Sequence, residues 1–148
     1  MSDTNEHPFP LPVPGRYTQP FWDACQRGVL EVPACLDCGQ MFLPGGPVCP
    51  DCWSSKLDLR PVSGNGEVFT FTVYRHSYHP ALKIPYVVAL IELTEGPRLI
   101  SNIVGCAPED VEIGMAVRVQ FEREADFALP RFVPINRKHE ELRHGRQK

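Results

Sequence analysis

Four of the six cysteines fall within one stretch, CLDCGQMFLPGGPVCPDC, as two C-x-x-C pairs: Cys35 with Cys38, and Cys49 with Cys52. In each pair the two sulfurs can converge on one point. Gly39 and Pro50 suit tight turns whose backbone N–H groups approach and stabilise thiolates. The ten residues between the pairs are the length of a short hairpin that brings the two turns together. This is the donor set of a tetrahedral four-sulfur zinc site. Disulfides would require an oxidising compartment, for which nothing in the sequence argues. A redox C-x-x-C needs only one pair and ordinarily opens a helix after a strand. Iron is the alternative metal, because four thiolates accept it too. Four cysteine ligands leave no coordination position for water. The expected role is therefore structural: the metal stands in for the apolar core that so short a segment cannot build. Cys25 and Cys106 lie outside the cluster and read as reduced, buried side chains with no catalytic case.

Other reactive constellations are missing from the sequence. There is no G-x-S-x-G elbow, no phosphate loop and no dinucleotide fingerprint. The glycines of SGNGE read as a turn before a strand. His76 and His79, three residues apart, do not by themselves make a metal or acid–base pair. No catalytic residue is assigned, and any chemistry is expected from a partner.

The elements that must position the cysteines follow from periodicity. HPFPLPVPG, with Pro at 8, 10, 12 and 14, excludes a regular helix and reads as an extended arm over residues 1–16, with Phe9, Leu11 and Val13 free to lie along a surface. TQPFWDACQRGVLEV reads as a short helix: Thr18 as N-cap, Pro20 in the first turn, and Gly28 at the end. Phe21, Trp22, Cys25 and Val29 form its apolar stripe, and Phe21 and Trp22 beside the arm are candidates for a partner surface. The helix and ribbon are assigned to residues 17–62.

Beyond them the period changes to two. EVFTFTVYRH places Phe69, Phe71 and Val73 on one face, with Phe69 and Phe71 expected in the core. YVVALIEL, RLISNIV, MAVRVQFE and RFVPIN supply four more strands, and APEDVEIG a turn or single helical turn. Five short antiparallel strands over 63–136 and no long helix predict a mainly β protein whose C-terminal part is a small closed barrel, an OB-fold, with an open sandwich as the alternative. Residues 137–148 read as a basic flexible tail, with five Lys or Arg against two Glu. The total of −3 then leaves the remainder at −6. An acidic body argues against nucleic acid, the second function considered for a ribbon joined to an OB-fold. No apolar run has membrane-spanning length and no secretory leader is evident, so a cytoplasmic protein is expected.

Taken in order, PFWDACQRG, the cysteine segment, SGNGEVFTFTV, PYVVALIEL, LISNIVGCAPEDVEIGMAVRV and FVP resemble, over nearly the whole chain, a family once filed as a domain of unknown function. Its members couple a rubredoxin-like zinc ribbon to an OB-fold and associate with acyl-CoA and thiolase-type enzymes. The resemblance implies an accessory subunit, non-catalytic or co-catalytic, that binds acyl-CoA and docks onto a thiolase-fold enzyme. The partner would carry acyl transfer, thiolytic or retro-aldol chemistry in lipid, steroid or polyketide-like metabolism. Given that implication, VYRHSYHPALKIP is the best local supply of CoA-binding groups: Arg75, His76, His79 and Lys83 for phosphates, and Tyr74 and Tyr78 for the adenine.

Overall fold

A computed structural model describes residues 9–135. The basic tail predicted over 137–148, and the first eight residues of the arm, lie outside the described residues. A helix, α1 (Gln19–Gln26), is followed by a two-stranded ribbon of β1 (Leu30–Cys35) and β2 (Leu57–Val62). Five further strands follow: β3 (Asn65–Tyr74), β4 (Tyr86–Leu93), β5 (Arg98–Ile103), β6 (Ala116–Glu124) and β7 (Phe127–Pro134). They close into a barrel in the order β3-β4-β5-β7-β6. This is the mainly β architecture expected, an OB-fold carrying an N-terminal helix and ribbon.

α1 starts after Thr18, but the Thr18 hydroxyl does not cap it. The hydroxyl instead accepts the Gly15 N–H at 2.9 Å, folding the arm into the helix. The helix ends at Gln26, and Gly28 follows with φ +73°, its N–H on the Cys25 carbonyl. The short hairpin expected between the cysteine pairs is a loop joined to β1 by one bridge, Ala34 to Met41. The strands that frame the ribbon are β1 and β2, paired antiparallel from Leu30↔Val62 to Cys35↔Leu57.

In the barrel, β4 alternates cleanly: Val87, Ala89, Ile91 and Leu93 are buried and their neighbours are not. Val68, Val117 and Phe132 complete an interior filled by side chains, as a small barrel requires. Four expectations change. The strands are not all antiparallel, because β5 meets β7 in parallel at Ile103↔Phe132. The last strand begins at Phe127, four residues before RFVPIN, as one arm of a hairpin with β6. And Phe69 is not in the core. A bulge between Val68 and Thr70 leaves Phe69 without a partner on β4. Phe71 and Val73 turn in to pack on the core, while Phe69 stays 43% exposed. Cys106, expected buried, is only partly so.

Helix, ribbon base and barrel share one apolar cluster, in which Cys25, Leu30 and Val32 pack with Val68, Ile91 and Phe132. Trp22 also meets Phe127 edge-on, with ring centroids 5.8 Å apart. The ribbon is therefore seated on the barrel through its base and through Met41 and Leu43 of the cysteine loop, while the cysteine turns have a small cluster of their own, Cys35, Phe42 and Cys49.

Candidate metal centre and ligand surfaces

The tip is built from two copies of one turn. In the first, the Gly39 N–H donates to the Cys35 carbonyl (2.9 Å) and the Cys35 N–H to the Gln40 carbonyl (2.8 Å). In the second, Trp53 repeats the bond to Cys49 (3.0 Å) and Cys49 repeats the bond to Ser54 (2.8 Å). Both turns need a left-handed residue after the second cysteine. The first uses Gly39 at φ +77°, the second Trp53 at φ +64°. The Ser54 hydroxyl donates to the Asp37 carboxylate and ties one turn to the other.

This symmetry gathers the four sulfurs. Cys35 and Cys52 Sγ are 3.5 Å apart, Cys38 and Cys49 Sγ 3.6 Å, and all four lie within 4.8 Å of one another. A tetrahedron with zinc–sulfur bonds of about 2.3 Å has edges of about 3.8 Å, so the donor set fits the ion. The proton balance points the same way. Among the four thiols the Cys35 pKa falls to about 7, chiefly because the Cys38 N–H bonds its sulfur. The Gln40 N–H pulls the Cys38 thiol down, but burial and the sulfurs of Cys52, Cys49 and Cys35 together raise it to about 12. Four crowded sulfurs cannot all ionise without a cation, and a divalent ion removes that conflict. The site is closed and structural: it holds zinc and leaves no position for a reacting water.

Two other surfaces group aromatic, apolar and charged side chains. The first is the loop after β3. Tyr74 stacks on Tyr86 (5.0 Å between centroids, 4° between planes), Tyr78 meets Tyr74 edge-on at 5.4 Å, and His76 meets Tyr78 at 5.5 Å. Tyr74, Arg75, His76 and Tyr78 line one open recess. Arg75 also faces Glu109 at 3.7 Å, a pair exposed on both sides. His79 turns inward to the loop, its Nδ1 accepting the Ala81 N–H at 3.2 Å, and Lys83 is exposed. Neither His79 nor Lys83 lines the recess.

The second surface was not anticipated from the sequence. A cavity of about 430 Å³ lies between α1, the ribbon and the outer face of β4 and β5. Phe21 and Trp22, expected to meet a partner, line it together with Leu43, Leu59, Leu90 and Leu99. Arg98 also lines it, with its guanidinium 3.8 Å over the Phe69 ring and its Nε 2.9 Å from the Glu92 carboxylate. No short motif announces this cavity, since its walls come from six separate segments. The exposed Phe69 offers an aromatic face, but Arg98 is the one cation lining this cavity among the described residues, and a single cation does not make the basic groove that a nucleic-acid strand requires.

A zinc ribbon seated on an OB-fold barrel defines the class. Family models described as the rubredoxin-like zinc ribbon domain and the C-terminal OB-fold domain of ChsH2 match residues 22–58 and 59–122. The solved Ltp2-ChsH2(DUF35) aldolase superposes with a TM-score of 0.79 at 39% identity, covering 84% of this chain and 98% of that one. A DUF35 domain-containing scaffold protein of Methanothermobacter thermautotrophicus is 39% identical over 100 residues, 66% of this chain and 75% of the relative. A probable enoyl-CoA hydratase alpha subunit of Thermomonospora curvata is 40% identical over 126 residues, 84% of this chain. The chain spans only 40% of that relative's length. The chain belongs to the DUF35 family of ChsH2-type zinc-ribbon/OB-fold proteins. Among the described residues no helix is long and apolar enough to cross a membrane.

Proposed function

We propose that this protein is an accessory subunit that binds acyl-CoA and docks onto a thiolase-fold enzyme, which carries the acyl-transfer, thiolytic or retro-aldol step. The observation that carries the reading is the similarity across helix, ribbon and barrel to the ChsH2 component of an aldolase. The name of the Thermomonospora relative, an alpha subunit acting on an acyl-CoA, supports the same class of substrate. The site chemistry agrees: the one preformed metal centre among the described residues is closed, and a closed centre serves a scaffold.

In this reading the loop after β3 takes the nucleotide end of CoA. Tyr74 and Tyr78 offer ring faces to adenine, Arg75 offers charge to phosphates inside the recess with His76 beside it, and the exposed Lys83 adds charge from outside it, while His79 faces into the loop. The Arg75–Glu109 pair is exposed and weak enough for a phosphate to displace. The arm, with Val13 in solvent, and the half-buried Phe21 and Trp22 are assigned to the docking side. The test is affinity purification of the tagged protein from its native cells, with the co-purifying proteins identified by mass spectrometry. A thiolase-fold enzyme in near-equal amount is expected. Nucleic acid in its place would overturn the reading. Within the assembled complex, Arg75→Ala with Lys83→Ala should weaken CoA binding, and unchanged affinity would remove both from the site.

A further inference from the structure

The cavity between helix, ribbon and barrel is apolar, and Arg98 is the one charged side chain on its lining among the described residues. Its volume of about 430 Å³ falls in the range of sites for drug-sized ligands, roughly 300–1,000 Å³. We infer that this cavity takes the acyl group of the thioester, that Arg98 meets an anionic group of the ligand at its mouth, and that zinc sets one wall of the cavity. The inference rests on the acyl-CoA reading and adds where the acyl group lies and what shapes its seat.

Three observations carry it. The outward face of a half-buried sheet is ordinarily polar, yet here it is apolar beside the cavity. Leu90 pairs with Ile100 on that face, and Ile100 is 72% exposed. Apolar side chains grouped at the mouth of a cavity mark a binding surface. Second, the bulge that keeps Phe69 out of the core places its ring under Arg98. With Glu92 on its Nε, the guanidinium is held in one pose while its remaining N–H groups reach solvent. Such a preset planar cation suits a phosphate or carboxylate. Bulges beside sites commonly re-aim a side chain in this way.

Third, the ribbon wall rests on the core through Met41 and Leu43, and the two metal turns close it at both ends. Leu43 lies on the loop between the two cysteine turns, which is fastened to β1 by the Ala34–Met41 bridge and the Phe42 N–H on the Pro33 carbonyl. The loop's ends are the metal turns themselves. Its middle is pressed against the start of α1, where a Cβ at Gly45 would stand 2.6 Å from the Tyr17 carbonyl oxygen. Both Gly45 and Tyr17 line the cavity. Losing the metal frees both ends of the loop and leaves Leu43 held only by its core contact and the β1 bridge, so the ribbon side of the cavity loosens.

The test is calorimetric titration of the full-length, zinc-loaded protein with octanoyl-CoA and with free CoA, alone and in complex with its co-purified enzyme. Each buried methylene adds about 0.8 kcal/mol, so octanoyl-CoA should bind at least about tenfold more tightly than CoA. Ile100→Glu, at an exposed position that leaves the core intact, should erase that preference while zinc content and CoA affinity stay. Arg98→Gln should weaken octanoyl-CoA severalfold, and chelation of zinc should abolish the octanoyl preference while the barrel's unfolding midpoint persists. If the wild type prefers octanoyl-CoA and Ile100→Glu does so equally, the acyl group lies elsewhere: the inference falls and the acyl-CoA reading stands. If the wild type binds neither ligand in either state, both fall. If Ile100→Glu instead abolishes assembly with the enzyme and leaves the octanoyl preference, the cavity is a docking socket and the inference is again overturned.

Discussion

At the tip of the ribbon four sulfurs and Phe42 stand where the barrel has Val68, Ile91, Val117 and Phe132. Both regions must offset the entropy of an ordered chain, about 1–2 kcal/mol per residue for the backbone. The barrel does so by burying a continuous apolar interior. The tip has too few apolar residues for that, and metal–thiolate bonds take their place. The difference teaches where each region is fragile: the tip depends on four atoms, the barrel on many.

The most severe way to break the tip alone is to remove its metal. Structural zinc in small domains contributes about 10–16 kcal/mol at neutral pH. Cys38→Ser, or a strong chelator, should take zinc content close to zero and collapse the amide dispersion of residues 35–56 in a heteronuclear NMR spectrum. Signals from β4 and β6 should remain. A ribbon that keeps full metal occupancy after Cys38→Ser would refute the ligand set.

The opposite break is in the barrel. Phe132 is fully buried at the point where β5 closes on β7. Phe132→Ala should cost about 3–5 kcal/mol, read as a lowered denaturant midpoint with zinc stoichiometry retained until global unfolding. If Phe132→Ala instead loses zinc in the absence of denaturant, the barrel core holds the tip as well, and the contrast dissolves.

The two regions also differed in how openly the sequence displayed them. The metal site was legible because its chemistry is local: two C-x-x-C turns carry their own ligands, turn residues and spacing. β4 and β6 were legible because one face is buried and the other is not. The framing strand β1 was not, since Val32, Pro33, Ala34 and Cys35 are all buried and show no alternation. The start of β7 was hidden by Pro130, a residue that ordinarily argues against a paired strand. Pro130 is tolerated because β7 meets β5 only at Ile103↔Phe132, and the Pro130 carbonyl accepts the Ser101 hydroxyl instead. The bulge at Phe69 leaves no mark in a run of alternating Phe, Thr and Val. The cavity is less legible still. Phe21, Leu43, Leu59, Leu90 and Leu99 each look like ordinary core residues until the fold brings them to one place.

Cys25 sharpens the comparison because it is a thiol used as the barrel uses valine. It is 1% exposed at the seam of helix, ribbon base and barrel, and burial raises its pKa from 9.0 to about 12. The stability that follows from keeping it neutral is fully present below pH 9.0 and is lost as the pH rises toward about 12. Denaturation at about pH 7.5 and about pH 10 should show a fall in midpoint that Cys25→Ala reduces. Native-state alkylation should reach Cys106, less buried, before Cys25. An equal fall in midpoint in Cys25→Ala would show that other groups govern the alkaline limb.

The finest comparison lies within the tip, between its two turns. They make the same hydrogen bonds, yet one has glycine and the other tryptophan at the left-handed position. Gly39→Ala forces a Cβ into that conformation and should destabilise the metal-bound ribbon by about 1–2 kcal/mol. Trp53 already bears that strain, and its side chain is 78% exposed, so little packing is lost on truncation. Trp53→Gly should therefore stabilise the ribbon by up to about 1 kcal/mol. Competition with a colorimetric chelator separates the pair: zinc leaves faster from Gly39→Ala and at an equal or slower rate from Trp53→Gly. Faster loss from Trp53→Gly would mean that the exposed ring holds the second turn by contacts that outweigh its backbone strain, and the two turns would then be alike in geometry but not in what maintains them.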